Sequence, residues 1–100
     1  MQGLHSLPAE QFVRELEEES VQLLWTDPPF GLDKPRKLES TKRQYRDVHP
    51  DVVLEWLETI GKEATRFLTP TGLIAVCLDW RLIHEAVTMM KQHVHHMGDI

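Results

Sequence analysis

The chain is poor in the features that mark secreted, disulfide-bonded and membrane proteins. Its 100 residues include a single cysteine, which excludes an internal disulfide and suits a reducing compartment. The longest unbroken apolar run, residues 73–78, is far too short to cross a bilayer. The first twenty residues carry five acidic side chains and no apolar signal core. These absences predict a cytoplasmic protein with no membrane association.

Positive charge is also scarce, since 11 Lys and Arg residues stand against 16 Asp and Glu residues and the net charge is -5. This balance argues against a uniformly basic nucleic-acid coat, although it permits a local basic patch. The length suits one small domain, and the apolar content of 41% is ordinary for a soluble globular protein. We therefore expect residues 1–100 to belong to one domain.

The apolar pattern predicts an α/β fold in the order helix, strand, loop, helix, strand, helix. The first helix is expected over residues 6–20, with Ser6 as its cap, and the first strand over 21–25. A long amphipathic helix begins near Pro50 and stops at the Pro/Gly-containing segment 69–72. A strand buried on both faces is expected at 73–78, followed by a helix over 82–94.

Residues 31–48 lack apolar periodicity and are predicted to form a long loop. Loops beyond about 12 to 15 residues are uncommon in compact domains unless they are functional or disordered. Six of the eleven basic residues lie here: Lys34, Arg36, Lys37, Lys42, Arg43 and Arg46. The loop is either a phosphate-contacting flap or a solvated segment whose charges do nothing specific.

The first predicted strand is followed closely by Asp27, Pro28, Pro29 and Phe30. Two consecutive prolines stiffen the backbone and donate no hydrogen bond, so nearby carbonyls remain free to accept from a ligand amine. Asp27 adds a charged acceptor, and Phe30 adds a flat apolar face. A proline-stiffened turn with Asp27 as an ordinary cap would explain the same residues without any chemistry.

Residues 27–30 resemble the Asp-Pro-Pro-Tyr/Phe motif of the amino-group DNA methyltransferases, which methylate exocyclic nitrogens of adenine or cytosine with S-adenosylmethionine. Residues 68–72 are similar to the Leu-Lys-Pro-Gly-Gly turn of that family, with Thr69 and Thr71 departing from it. The resemblance covers about residues 3–99. It implies part of an S-adenosylmethionine-dependent methyltransferase (Rossmann-like) fold.

The resemblance also implies roles for the motif residues. Asp27 and the carbonyl of Pro28 would accept the two N–H bonds of the target amine and localise its lone pair. Pro29 would stiffen the turn, and Phe30 would stack on a base extruded from the duplex. The expected substrate is the N6 amine of adenine in DNA, as in restriction-modification systems. The alternatives are cytosine N4, an RNA base, a protein glutamine, or a non-catalytic nucleic-acid-binding fragment of the same fold.

Two parts of the family pattern are missing from residues 1–100, namely the glycine-rich loop that cradles S-adenosylmethionine and a target-recognition region. Some members carry the catalytic motif first, and the chain resembles the N-terminal portion of such a permuted enzyme. Leu4 and His5 stand where members often carry a Gly-Asp pair, so no residue is assigned to the cofactor. The expected partners are DNA, S-adenosylmethionine and a missing C-terminal half or complementing chain, without which the fragment should be inactive.

Four further groups of side chains are of types that can carry function. Asp79 and Trp80 follow the second predicted strand, so they would share a sheet rim with Asp27, although a helix cap and a core tryptophan explain them equally. Cys77 is expected to be an inert core thiol, and Trp56 and Phe67 are expected to be core residues. No metal site is expected, because the spacing of the C-terminal histidines fits no standard ligand set. Those histidines are His93, His95 and His96.

Overall fold

The computed structural model describes residues 3–29, 35–38, 43–46, 48–96 and 98, and for 35–38 and 43–46 it describes the backbone only. The elements are α1 (Ala9–Glu15), β1 (Val21–Thr26), β2 (Pro35–Leu38), β3 (Arg43–Arg46), α2 (Pro50–Phe67), β4 (Leu68–Val76) and α3 (Trp80–Met90). The predicted α/β class is confirmed, with three helices and a parallel pair of strands among the described residues.

The central sheet consists of β1 and β4, which run parallel and are joined by α2. Thr26 pairs with Val76 at one end and Val21 pairs with Leu68 at the other, with a shift in register between them. Gly72 lies at this shift, where an added Cβ would come 2.8 Å from the carbonyl oxygen of Val21. Only glycine fits so close to a neighbouring backbone without displacing it.

The long helix stops before residues 69–72, as predicted, but these residues lie inside β4, so the prediction that the strand starts at 73 is wrong. The irregularity lets the strand begin directly after α2 and accommodates Pro70, which has no N–H for a regular ladder. The Gln22 side chain bridges the irregular segment, since it accepts from Thr69 Oγ1 at 2.8 Å and donates to the Thr71 carbonyl at 3.0 Å.

The predicted long loop at 31–48 is also corrected, because it contains two strands. The strands β2 and β3 pair antiparallel, from Pro35 opposite Arg46 to Leu38 opposite Arg43. Main-chain hydrogen bonds join such a pair, and they do not depend on the type of side chain. Two strands can therefore pair without any apolar periodicity in their sequence. The absence of periodicity was therefore a poor guide to the backbone.

The long helix α2 confirms its prediction closely. His49 Nδ1 accepts from the Asp51 N–H at 3.2 Å, which satisfies one of the unpaired donors at the helix start, and Pro50 occupies the first helical position. One face of the helix is buried, and its apolar members recur with helical spacing. They are Val53, Leu57, Ile60, Ala64 and Phe67.

The first helix is shorter than predicted at both ends. Pro8 occupies the cap position and makes no side-chain cap, so Ser6 does not play the expected role. At the other end, the Arg66 guanidinium donates to the carbonyls of Val13 (3.0 Å) and Leu16, and Glu63 holds it at 2.8 Å. This guanidinium replaces the next turn of α1 as a partner for its terminal carbonyls.

All three helices pack against one face of the β1–β4 sheet. Phe67 and Val13 form a cluster with Leu24 and Ile74, and a second cluster joins α2 to α3 beside Val76. Phe67 is fully buried, as predicted, whereas Trp56 is only partly buried at the edge of the second cluster.

Among the described residues, no helix covers the opposite face of the sheet. Leu23, Trp25 and Leu73 are 55%, 68% and 50% exposed, and we call these three residues the open face. The prediction that the second strand is buried on both faces is wrong, because burial of both faces requires helices on both sides. No helix among the described residues is long and apolar enough to cross a membrane.

Candidate functional site

The candidate site lies where β1 and β4 end together. Thr26 and Val76 are the last paired residues, and beyond them the Cys77 N–H donates to the Thr26 carbonyl at 2.9 Å. Asp27 is the next residue along β1, so it leaves the sheet beside the chain that leaves β4. The carboxyl edge of a parallel sheet is where α/β proteins bind their ligands.

The Asp27 side chain is exposed at this edge, with Pro28 half-buried and Pro29 exposed after it. In residues 3–29 and the other described stretches, no hydrogen bond or ion pair engages the Asp27 carboxylate. An aspartate that served only as a turn cap would accept a hydrogen bond from a nearby backbone N–H. Among the described residues, the carboxylate oxygens are therefore left available to a donor that approaches from outside.

The other predicted site residues are only partly described. Phe30, Lys34 and Lys42 lie outside the described residues. The antiparallel strands β2 and β3 carry four of the six predicted DNA-contacting cations, two on each strand: Arg36 and Lys37 on β2, and Arg43 and Arg46 on β3. Their backbone is described and their side chains are not, so their phosphate contacts stay a prediction.

A compact group follows β4 on the same edge. The Asp79 carboxylate, mostly buried, accepts from the Arg81 N–H at 3.0 Å and from Arg81 Nε at 2.8 Å. Asp79 is thus the cap of α3, which confirms the interpretation of this residue as a helix cap. Trp80 is not a core residue, because its side chain is 76% exposed. The Arg81 guanidinium lies 5.7 Å from the centre of its ring.

Sequence reasoning placed Asp79 and Trp80 on this rim and overlooked Arg81. The available signal was the spacing of an aspartate two residues before an arginine at a helix start. That spacing lets one carboxylate accept both the backbone N–H and the side-chain N–H of the arginine. The arginine was missed because it lies outside the basic segment at 31–48.

A hollow in the described part of the chain lies away from the candidate site. A shallow hollow of about 350 Å³ opens beside α2, and none of its lining residues belongs to the rim that carries Asp27. The lining residues are Glu10, Glu55, Trp56, Glu58, Thr59 and Lys62. The close backbone approach at Gly72 is filled by the Val21 carbonyl and offers no cradle. In the described part of the chain, no three His, Cys, Asp or Glu side chains are grouped as metal ligands.

We compared the chain with protein-family models, curated proteins and solved structures, and it matches none of them. Functional inference therefore rests on the motif at residues 27–30 and on the geometry around it.

Proposed function

We propose that this chain is the catalytic portion of an amino-group DNA methyltransferase that acts on the N6 amine of adenine. The observation that carries the proposal is the position of Asp27. Its exposed carboxylate leaves the carboxyl edge of a parallel sheet and is followed directly by two prolines. A strand end with an unengaged acceptor and a stiff backbone suits the orientation of an amine better than it suits a structural turn.

In this proposal the chain contributes acceptors to the reaction. The exocyclic amine of a base is a poor nucleophile because its lone pair is delocalised into the ring. Asp27 and the Pro28 carbonyl would each accept one N–H bond of the amine and so localise that lone pair. Pro29 would limit movement of the turn. The stacking of Phe30 on the extruded base remains a prediction from the sequence.

The methyl donor would be held by polypeptide outside residues 1–100. The open face supports this division, because an exposed patch of large apolar side chains marks a surface that another element covers. Parallel sheets are found with helices on both faces, whereas here the three helices lie on one. A second half of the sheet, carrying the cofactor loop, would cover Leu23, Trp25 and Leu73.

The test is methyl transfer by the complete enzyme, formed by this chain with its second half, from labelled S-adenosylmethionine to DNA. Digestion of the DNA and analysis of its nucleosides should show N6-methyladenine. N4-methylcytosine would contradict the adenine assignment and keep the reaction class. Label transferred only to RNA or to protein glutamine would show that the substrate is not DNA. No transfer to any acceptor would contradict the enzyme proposal and favour a non-catalytic binding protein.

The basic segment at 31–48 gives a separate prediction about DNA affinity. Lys42→Gln, Arg43→Gln and Arg46→Gln together should weaken binding of the complete enzyme to all DNA sequences. The slope of log affinity against log salt should flatten by about one unit per lost phosphate contact. The matched control replaces three exposed cations by glutamine: Arg14 on α1, Lys62 on α2 and Lys91, the C-cap of α3. Equal slopes for both triple variants would show that Lys42, Arg43 and Arg46 make no phosphate contacts.

A further inference from the structure

We propose that Trp80 is a stacking surface for an unpaired nucleobase, placed on the rim that carries Asp27. This inference rests on the proposed action on nucleic acid, and it assigns a binding role to a residue outside the motif at 27–30. The indole is 76% exposed although it begins an ordered helix. A large aromatic side chain held in solvent loses the burial energy that usually places tryptophan inside a protein.

The position of Trp80 follows from the way the two strands end. The Cys77 N–H is hydrogen-bonded to the Thr26 carbonyl, which directly precedes Asp27. Trp80 is three residues beyond Cys77, so their Cα atoms are at most about 11 Å apart even in a fully extended chain. When one base of a strand reaches the Asp27 carboxylate, a neighbouring base of the same strand therefore comes within range of the indole.

The indole is also in contact with a neighbouring side chain. Arg81 lies 5.7 Å from the ring centre, and its guanidinium is bound in turn by the Asp79 carboxylate at 2.8 Å and 3.2 Å. Asp79 is itself fixed, because it is mostly buried and caps α3. A ring that is restrained by a neighbouring side chain loses less entropy when a base stacks on it than an unrestrained ring would lose.

The same contacts identify the ligand as a base rather than a phosphate. The Asp79 carboxylate pairs with Arg81, which lowers the net positive charge that the group offers to a phosphate. What remains accessible is the uncharged face of the indole. Stacking of a base on an aromatic side chain is worth about 1 to 3 kcal/mol, is tolerant of base identity and does not depend on counterion release.

The experiment uses indole fluorescence, which stacking on a base quenches. The chain has three tryptophans, and Trp25→Phe with Trp56→Phe leaves Trp80 as the only reporter. A companion variant, Trp56→Phe with Trp80→Phe, leaves Trp25, which is 68% exposed on the open face. Each variant is titrated with a short single-stranded oligodeoxyadenylate and with an abasic oligonucleotide of equal length.

We expect oligodeoxyadenylate to quench Trp80 and to leave Trp25 unchanged, and the abasic strand to quench neither. In the otherwise unchanged chain, Trp80→Ala should weaken oligodeoxyadenylate binding by roughly 5- to 150-fold. The salt slope of binding should stay the same. Trp25→Ala should leave the affinity unchanged, and Trp80→Phe should retain most of it because the aromatic face remains.

Three results would overturn the stacking role: no quenching of Trp80 up to about millimolar nucleotide, equal quenching of Trp25, or equal quenching by the abasic strand. The second result would mean that any exposed indole binds bases, and the third would mean that the ligand is phosphate. These outcomes are separable from the methyltransferase proposal. Methylation by the complete enzyme with no quenching of Trp80 would contradict only the stacking role of Trp80. Quenching of Trp80 with no methylation by the complete enzyme would contradict only the proposed methyltransferase activity.

Discussion

Asp27→Ala in the complete enzyme is expected to lower kcat about 10² to 10³-fold. The change removes a preorganised charged acceptor from the target amine. Asp27→Asn keeps one carbonyl acceptor in place, so its rate should fall between those of the alanine variant and the unchanged enzyme. Single-turnover methyl transfer to a short duplex measures the chemical step directly.

The control for this prediction is Glu85→Ala, which removes an exposed carboxylate on α3. Its rate should match that of the unchanged enzyme. The DNA affinity of Asp27→Ala should fall much less than its rate, because phosphate contacts supply most of the affinity. Near-normal turnover by Asp27→Ala would show that this carboxylate does not orient the amine, whatever the nucleoside product.

Phe67→Ala is expected to lower the free energy of unfolding by about 3 to 5 kcal/mol. Phe67 is the largest of the fully buried side chains and packs among residues of α1, α2, β1 and β4. Whole domains are stable by only about 5 to 15 kcal/mol, so this loss should leave a substantial unfolded fraction at 37 °C. Urea denaturation followed by far-ultraviolet circular dichroism would measure it.

Leu4→Ala is the matched control, because Leu4 is a large apolar residue that is fully exposed. Its free energy of unfolding should change by no more than about 0.5 kcal/mol. A loss below about 1 kcal/mol for Phe67→Ala would mean that the cluster formed by α1, α2 and the sheet contributes little to stability.

Phe67 also contributes to the geometry of the candidate site. Its backbone carbonyl accepts from the Ser20 N–H at 2.8 Å, and the preceding Arg66 carbonyl accepts from the Glu19 N–H at 2.9 Å. These two bonds fix the start of β1 against the end of α2. Asp27 stands at the other end of that same strand, so the core cluster and the rim are connected through six residues of β1.

The sequence by itself determined the elements that are local. The apolar stripe of α2 predicted its existence and nearly its bounds, because helical spacing depends only on neighbours three and four residues away. The run at 21–25 and the residues after it predicted β1 and placed Asp27 at its end. The parallel fold class followed from the alternation of strand and helix.

Only the tertiary structure decided how far each element extends and which faces are covered. The strand β4 starts at Leu68 because Gly72 admits the Val21 carbonyl, a contact between residues 51 positions apart in the chain. Helix α1 ends early because Arg66 binds its carbonyls. Leu73 was predicted to be buried, and a core position was one of the two interpretations of Trp80, yet both side chains are exposed. Burial depends on what packs opposite, and an apolar side chain does not specify its partner.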